Sequence, residues 1–172
     1  PGTVLMCHGT AVVGISANNA IACGPFHALE DYRRAAALPT VEQSCWELKQ
    51  IGAGIPQIYP ATMGQFVPQM VNLEVLGGVS FSKGCYPGQE IVARVKFRGE
   101  VKRRLARLLG QTTDRPVPGT RIVTRDGEPL GTVLLAETTG EQQVEILAVL
   151  NRAADTVFLS GADADALSRG AM

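Results

Sequence analysis

The stretch that decides the fold is Lys83–Glu90, which reads KGCYPGQE. Its two glycines and one proline favour a tight turn, because glycine tolerates positive φ and proline fixes φ at about −65°. The apolar residues Val79 and Phe81 precede it, and Ile91–Phe97 follows with helical spacing. We therefore expect a short strand, a tight turn and a helix that begins near Gly88.

The position of Cys85 within this turn suggests a chemical role for its thiol. It lies just before the expected helix N-terminus, where unpaired N–H groups and the helix dipole favour negative charge. Lys83 is two residues away and is positively charged. Both features favour the reactive thiolate form. On local sequence alone the alternative is an inert, buried cysteine, since free cysteines are commonly buried.

Two amphipathic helices are predicted upstream of the turn. The first covers residues 26–38 and ends before Pro39. The second begins at Thr40, whose hydroxyl fits a capping box with the Gln43 side chain. The residues of its apolar stripe, which we expect to be buried, are Val41, Cys45, Leu48 and Gly52.

Trp46 is the only tryptophan, and it lies off that stripe among polar residues of the same predicted helix. A large aromatic side chain on a mixed face needs something to cover it. Two interpretations follow from the residues alone. The indole packs against a second element of the domain, or it stacks on a flat ligand.

The segment between the second helix and the turn is rich in glycine and proline. Residues 51–68 predict a loop, and residues 69–76 predict a short helix that ends at Gly77-Gly78. Gln65 and Gln69 lie on this segment, and a side-chain amide offers both a donor and an acceptor to a ligand. The sequence leaves open which of the two amides would serve.

Short β-type runs lie at both ends of the chain. Three of them fall within residues 3–24, separated by Gly9 and by Asn18-Asn19. After Gly99 five further runs predict strands over residues 104–109, 120–124, 130–135, 143–150 and 156–159. Asp126-Gly127 supplies a hairpin turn between two of them. This spacing predicts a small antiparallel barrel, followed by a frayed tail over residues 162–172.

Positive charge is concentrated in and after the turn Lys83–Glu90, although the net charge is zero. Only Glu90 and Glu100 oppose eight basic residues there: Lys83, Arg94, Lys96, Arg98, Lys102, Arg103, Arg104 and Arg107. Such a band attracts anions, but by composition alone a solvated surface is the commoner reason for it. With Tyr86 and Phe97 as the only interleaved aromatic residues, the sequence makes no strong case for direct nucleic-acid binding.

Composition excludes several classes of protein. The four cysteines contain no CxxC pair, so no local zinc or iron–sulfur motif is present and we expect free thiols. No apolar run reaches 18 residues, and no signal-peptide pattern opens the chain. A hydrophobic content of 45% is ordinary for a globular protein with a core.

The residues around the turn resemble the YgfZ-type folate-binding proteins, which are relatives of the glycine-cleavage T-protein, an aminomethyltransferase. The signature of that family is Lys-Gly-Cys-Tyr-x-Gly-Gln-Glu, and it matches Lys83–Glu90. The similarity is close over residues 46–105. Besides the signature it includes Trp46, Gly54–Pro56, Phe66–Gln69, Asn72-Leu73, Leu76–Phe81 and Ala93–Gly99.

The resemblance implies an α+β fold: the C-terminal part of a YgfZ/T-protein-like folate-binding fold, followed by a small antiparallel β-barrel. The implied domains are a partial folate-binding region over residues 1–100, the barrel over 101–160 and a flexible tail over 161–172. The family's proteins carry a further N-terminal half, and this chain opens on Pro1. We therefore expect a C-terminal portion, which could form oligomers through the truncated half.

The resemblance also implies a function. It is that of a tetrahydrofolate-binding accessory protein that supports assembly or repair of iron–sulfur enzymes, including those that modify tRNA. The alternative is folate-dependent one-carbon transfer, as in aminomethyltransferases. Expected partners are folate and iron–sulfur proteins or their assembly factors, with no membrane. The expected location is the bacterial cytoplasm, or the mitochondrial matrix in a eukaryote.

The same resemblance assigns the site residues. Cys85 would be the functional thiol, and Trp46 would stack on the folate. Gln69, Glu90 and Arg94 would complete the folate contacts, and no metal ligands are expected. A structural role is the alternative for two of them, because Glu90 and Arg94 are spaced to form an i, i+4 ion pair on the helix.

Overall fold

The computed structural model describes residues 2–16, 19–112, 114–140, 142–151, 156–160 and 166–171. The chain forms two compact units, Pro1–Glu42 and Gln43–Met172. Helices and antiparallel sheets occur together, which agrees with the predicted α+β class. The domain boundary predicted at residue 100 stays a prediction.

The first unit is a three-stranded antiparallel sheet followed by one helix. Its strands are β1 (Val4–Cys7), β2 (Thr10–Ser16) and β3 (Asn19–Cys23), in that spatial order. The helix α1 covers Phe26–Ala35. It ends three residues earlier than predicted, because Ala37 adopts a left-handed conformation with a φ of 51°. The three predicted strands are confirmed.

The second unit contains the helices α2 (Gln43–Gly52) and α3 (Gln89–Arg98) and a short 3-10 turn at Pro60–Thr62. The start of α3 agrees with the prediction, since its N-cap is Gly88 with a φ of 80°. That backbone conformation is easy for glycine and costly for other residues. The predicted end of α3 at Gly99 is also confirmed.

The predicted start and buried face of α2 are wrong. The helix begins at Gln43, so Thr40 does not cap it. Cys45, on the predicted stripe, is exposed, whereas Glu47, Gln50 and Ile51 are the buried residues. The stripe failed because Glu47 faces the barrel, where Arg115 from another segment lies 3.7 Å from its carboxylate.

The helix predicted over residues 69–76 is replaced by successive turns. Asn72 adopts a φ of 56°, and this left-handed residue cannot continue a right-handed helix. The Leu73 N–H instead reaches the Pro68 carbonyl at 2.9 Å, and the Gly78 N–H reaches the Leu73 carbonyl at 2.8 Å. Residues 78–83 likewise form an irregular bend and not the short strand predicted before the signature.

Six antiparallel strands close into a barrel. They are β4 (Arg103–Gln111), β5 (Arg121–Val123), β6 (Pro129–Thr138), β7 (Gln143–Asn151), β8 (Thr156–Leu159) and β9 (Leu167–Arg169). Their order around the barrel is β4-β7-β6-β5-β8-β9. The five strands predicted after Gly99 are confirmed.

The sixth strand, β9, lies where a frayed tail was predicted, so that prediction is wrong for residues 167–169. Leu167 pairs with Val157 of β8, and Arg169 pairs with Leu108 of β4. Leu167 is almost wholly buried in the barrel interior. One apolar residue in a short polar run shows no strand periodicity, so the sequence did not indicate β9. The burial of Leu167 nevertheless holds this strand in the barrel.

The barrel contributes to two separate cores. Alternate residues of β7, such as Ile146 and Ala148, pack inside the barrel with side chains from the five other strands. Leu147 and Val149 point outward and pack against Ile51 of α2. The second core continues under residues 66–77, which we call the turn segment, through Val71, Phe66, Met70 and Leu73. This outer core holds α2 and the turn segment on the barrel.

Candidate functional site

The signature turn presents Cys85 to solvent. On one side the Lys83 ammonium lies 5.0 Å from the centre of the Tyr86 ring. The Tyr86 hydroxyl is buried and has no hydrogen-bond partner among the described residues. An exposed thiol excludes the alternative of an inert, buried cysteine, and it is open to a partner or a reagent.

The outer face of α3 carries two of the predicted site residues. Glu90, Ala93, Arg94, Phe97 and Arg98 line a shallow, open groove of about 350 Å³. Both charged groups at its centre are exposed. No ion pair joins Glu90 to Arg94 within the described residues, so the predicted i, i+4 pair is absent. Their charges are therefore open to a ligand.

Aromatic rings and cations alternate beside this groove. Phe81 and Phe97 meet edge to face, with 6.1 Å between their centroids and 73° between their planes. The Lys96 ammonium lies 4.7 Å from the centre of the Phe81 ring. Phe97 is 72% exposed despite this contact. The groove thus joins a large exposed aromatic face to several positive charges.

Gln69 is a buried link between the turn segment and α3. Only 2% of the residue is exposed, and its Nε2 donates a 2.7 Å hydrogen bond to the Val92 carbonyl. Its Oε1 is buried, and no described residue donates a hydrogen bond to it. Because the amide N–H already serves the fold, the assignment of Gln69 to the folate stays a prediction that rests on Oε1.

Trp46 lies on α2 and is 44% exposed. The buried residues of α2 face the barrel, so the indole lies to the side of that contact. Within the described residues no hydrogen bond, ion pair or ring contact joins Trp46 to Cys85 or to α3. The structure therefore places Glu90 and Arg94 on one helix, α3, and joins Gln69 to that helix by a hydrogen bond. Trp46 lies on a different helix, α2.

The basic band divides into paired and unpaired members. Arg104 contacts Glu74 at 2.6 Å, and Arg107 contacts Glu145 at 2.8 Å. The other six form no ion pair with any described residue: Lys83, Arg94, Lys96, Arg98, Lys102 and Arg103. All six are exposed. Positive charge is thus left free on and around α3 and at the start of β4, whereas Arg104 and Arg107 further along β4 are paired.

A polar cluster that the sequence reasoning missed lies between α2 and the barrel. The Arg115 guanidinium pairs with Glu137 of β6 and lies 3.7 Å from Glu47 of α2. Gln43 donates a 2.6 Å hydrogen bond to Glu47. Burial raises the pKa of Tyr59, and Glu47 raises it further, while Arg115 opposes them. No sequence signal marked it, because Glu47 lies off the apolar stripe predicted for α2 and Glu137 lies beyond the predicted strand over residues 130–135.

Other kinds of site are not seen in the described part of the chain. No three of its His, Cys, Asp and Glu side chains are grouped so as to hold a metal ion. None of its helices is long and apolar enough to cross a lipid bilayer.

Comparison with known proteins decides the family. A curated protein of Shigella dysenteriae serotype 1, named tRNA-modifying protein YgfZ, is 45% identical over 127 residues. A single stretch that covers 71% of a chain of 172 residues must include the signature Lys83–Glu90. This chain is of the YgfZ type. It spans 39% of the length of that relative, and no protein-family model matches it.

Proposed function

We propose that this YgfZ-type chain supports tRNA modification as a folate-binding accessory protein for iron–sulfur enzymes. The observation that carries the proposal is the 45% identity to a protein named as tRNA-modifying, over a stretch that includes the signature. That name gives no support to the aminomethyltransferase alternative. The identity of the ligand and of the client enzymes comes from the family resemblance.

Tetrahydrofolate combines a flat pterin with a negatively charged glutamate tail, and the exposed side chains suit both parts. The half-exposed indole of Trp46 offers a face on which a pterin stacks. The unpaired guanidinium of Arg94 suits a carboxylate of the tail, which it can bind through two parallel N–H groups. The carboxylate of Glu90 can accept hydrogen bonds from pterin N–H groups.

Cys85 is assigned to the iron–sulfur clients. A thiolate is both a nucleophile and an iron ligand, and it needs access to its partner in either role. Cys85 has that access because it is exposed beside an open turn. A transient contact between this thiol and a client enzyme is the role that its exposure supports best.

The test is a measurement of methylthiolated nucleosides in tRNA from a bacterium whose own YgfZ-type protein has been deleted. Expression of this chain should restore them, whereas Cys85→Ser should leave them at the level of the deletion. Cys45→Ser is the matched control, since Cys45 is also an exposed free thiol, and it should restore them fully. Full restoration by Cys85→Ser would contradict the proposed role of the thiol.

A further inference from the structure

We propose that the outer side of α3 binds a single-stranded segment of RNA directly. The surface consists of Phe81, Arg94, Lys96, Phe97 and Arg98, and we call it the α3 surface. This inference goes beyond the accessory role, because it assigns this chain its own contact with nucleic acid. It rests on the charge, the exposure and the ring geometry of those five residues.

Charge gives the first argument. Arg94, Lys96 and Arg98 are exposed and form no ion pair with any described residue. Elsewhere in the same unit, Arg104 and Arg107 each have a carboxylate within 3 Å. A cluster of cations without partners is attracted to a polyanion, and the phosphate backbone of a nucleic acid is a polyanion that lysine and arginine side chains neutralise.

Exposed aromatic surface gives the second argument. Phe97 leaves 72% of its surface in water at the edge of the groove, although Phe81 packs against it. The Lys96 ammonium lies over the Phe81 ring. Of the two aromatic rings, Phe97 is therefore the one that is open to a ligand. Base stacking on such a ring is a main source of affinity in single-strand binding, and it tolerates any base.

The arrangement of the two groups gives the third argument. Arg94 and Arg98 are one helical turn apart, about 6 Å along the axis, and both line the groove with Phe97. Phosphates and bases alternate along a single strand, so cations beside an aromatic face match both of its parts. An acidic peptide would use the arginines but has no flat base to cover Phe97.

The structure changes the expectation from sequence, which counted only Tyr86 and Phe97 as interleaved aromatic residues. Folding brings Phe81, from the bend before the signature, against Phe97 and Lys96. The proposed folate contact needs Arg94 alone from this surface. Phe97 therefore distinguishes the two proposals, because it serves RNA and has no assigned role toward folate.

The experiment is a titration of a fluorescein-labelled 12-nucleotide oligouridine with the full chain, followed by anisotropy across a series of salt concentrations. Arg94→Gln/Arg98→Gln should weaken binding and reduce the slope of log affinity against log salt by about 0.7 for each phosphate that the variant no longer neutralises. Phe97→Leu should lower affinity at least about fivefold at every salt concentration and leave the slope unchanged. Arg121→Gln/Arg125→Gln removes the same charge from the barrel and should change neither.

Three results would overturn the proposal. One is no saturable binding by the unsubstituted chain, and another is an equal drop in affinity in the α3 and barrel double variants. The third is full affinity in Phe97→Leu, which would indicate an anion site that an oligoglutamate peptide could fill equally well. Circular dichroism and the urea midpoint of each variant confirm that it is folded. Tetrahydrofolate binding, measured separately at Trp46, fails or succeeds independently of these outcomes.

Discussion

The side-chain amide of Gln69 donates a 2.7 Å hydrogen bond to the main-chain carbonyl of Val92, in the middle of α3. Both residues are at least 95% buried. This bond ties the turn segment, which packs on the barrel, to the helix that carries Glu90 and Arg94. The groove on α3 is therefore held in place from its buried side by a residue in the family-like stretch.

Replacement of Gln69 should destabilise the fold, and the loss of stability should depend on pH when the new residue is glutamate. Gln69→Met should cost about 1 kcal/mol of unfolding free energy, the net value of one hydrogen bond. Gln69→Glu should cost about 3 kcal/mol or more at pH 7.5, because an unpaired carboxylate would face a carbonyl oxygen in a buried site. Urea denaturation of both variants measures the two costs.

The sign of the pH effect for Gln69→Glu follows from burial. Burial would raise the pKa of the new carboxyl above its unfolded value of about 4.3, so the stability of this variant is greatest at low pH and falls as pH rises. The protonated carboxyl can donate to Val92 as the amide does. A stability equal to that of the unsubstituted chain at pH 7.5 would show that this side chain reaches water.

Arg104 and Glu74 should contribute to the unfolding free energy as a coupled pair, so that the costs of replacing them are not additive. Arg104 also donates to Asn72 at 3.3 Å, and the second, buried oxygen of Glu74 has no hydrogen-bond partner in the described part of the chain. Arg104→Met should therefore cost about 1–3 kcal/mol, since Oε1 of Glu74 loses its Arg104 partner and the carboxylate keeps no cation beside it. The double variant Arg104→Met/Glu74→Met should cost less than Arg104→Met alone. Purely additive costs in urea denaturation would contradict this.

Tyr59 should make stability fall at alkaline pH. Burial raises its pKa, with a further contribution from Glu47, and Arg115 opposes the rise. A phenol with a raised pKa contributes stability that is fully present below its unfolded value of about 10 and is lost as pH rises through the folded value. The unfolding free energy should therefore drop more steeply between pH 9 and 11 in the unsubstituted chain than in Tyr59→Phe. Parallel curves for the two proteins would refute the assignment.

Gly131 should tolerate no side chain. A Cβ there would overlap the main-chain oxygen of Val149 and lie 2.5 Å from Cδ2 of Leu150, on the neighbouring strand. Gly131→Ala should cost at least about 3 kcal/mol, because backbone in a barrel ladder cannot move aside cheaply. Gly140→Ala is the control, since a Cβ there would have no atom of a described residue within 4 Å, and its cost should stay within about 0.5 kcal/mol. Thermal unfolding followed by circular dichroism would compare the two, and similar melting temperatures would contradict the packing described.

Local patterns predicted most of the strands and the helix α3. Short apolar runs between turn signals identified five of the six barrel strands. The runs of β6 and β7 are continuous because the inner core buries one face of these strands and the outer core buries the other. Gly88 marked the start of α3 because its backbone conformation favours glycine. These features depend on residues close together in the chain.

The failures share a different cause. Glu47 could not be expected inside the molecule without knowing that Arg115 reaches it from the connection between two strands. Asn72 breaks a helical pattern through its own backbone conformation, which its neighbours do not reveal. For the site, Glu90 and Arg94 were placed together by helix spacing, but the contact of Phe81 with Phe97 exists only after folding.

The most direct test of folate binding is a titration of the chain with tetrahydrofolate, followed by the fluorescence of Trp46. Trp46 is the only tryptophan, so the signal has one source. We predict saturable quenching, with a matching affinity by calorimetry that is lost in Trp46→Phe and kept in Arg121→Gln/Arg125→Gln. No saturable change in a chain that circular dichroism shows to be folded, or an unchanged calorimetric affinity in Trp46→Phe, would contradict the account.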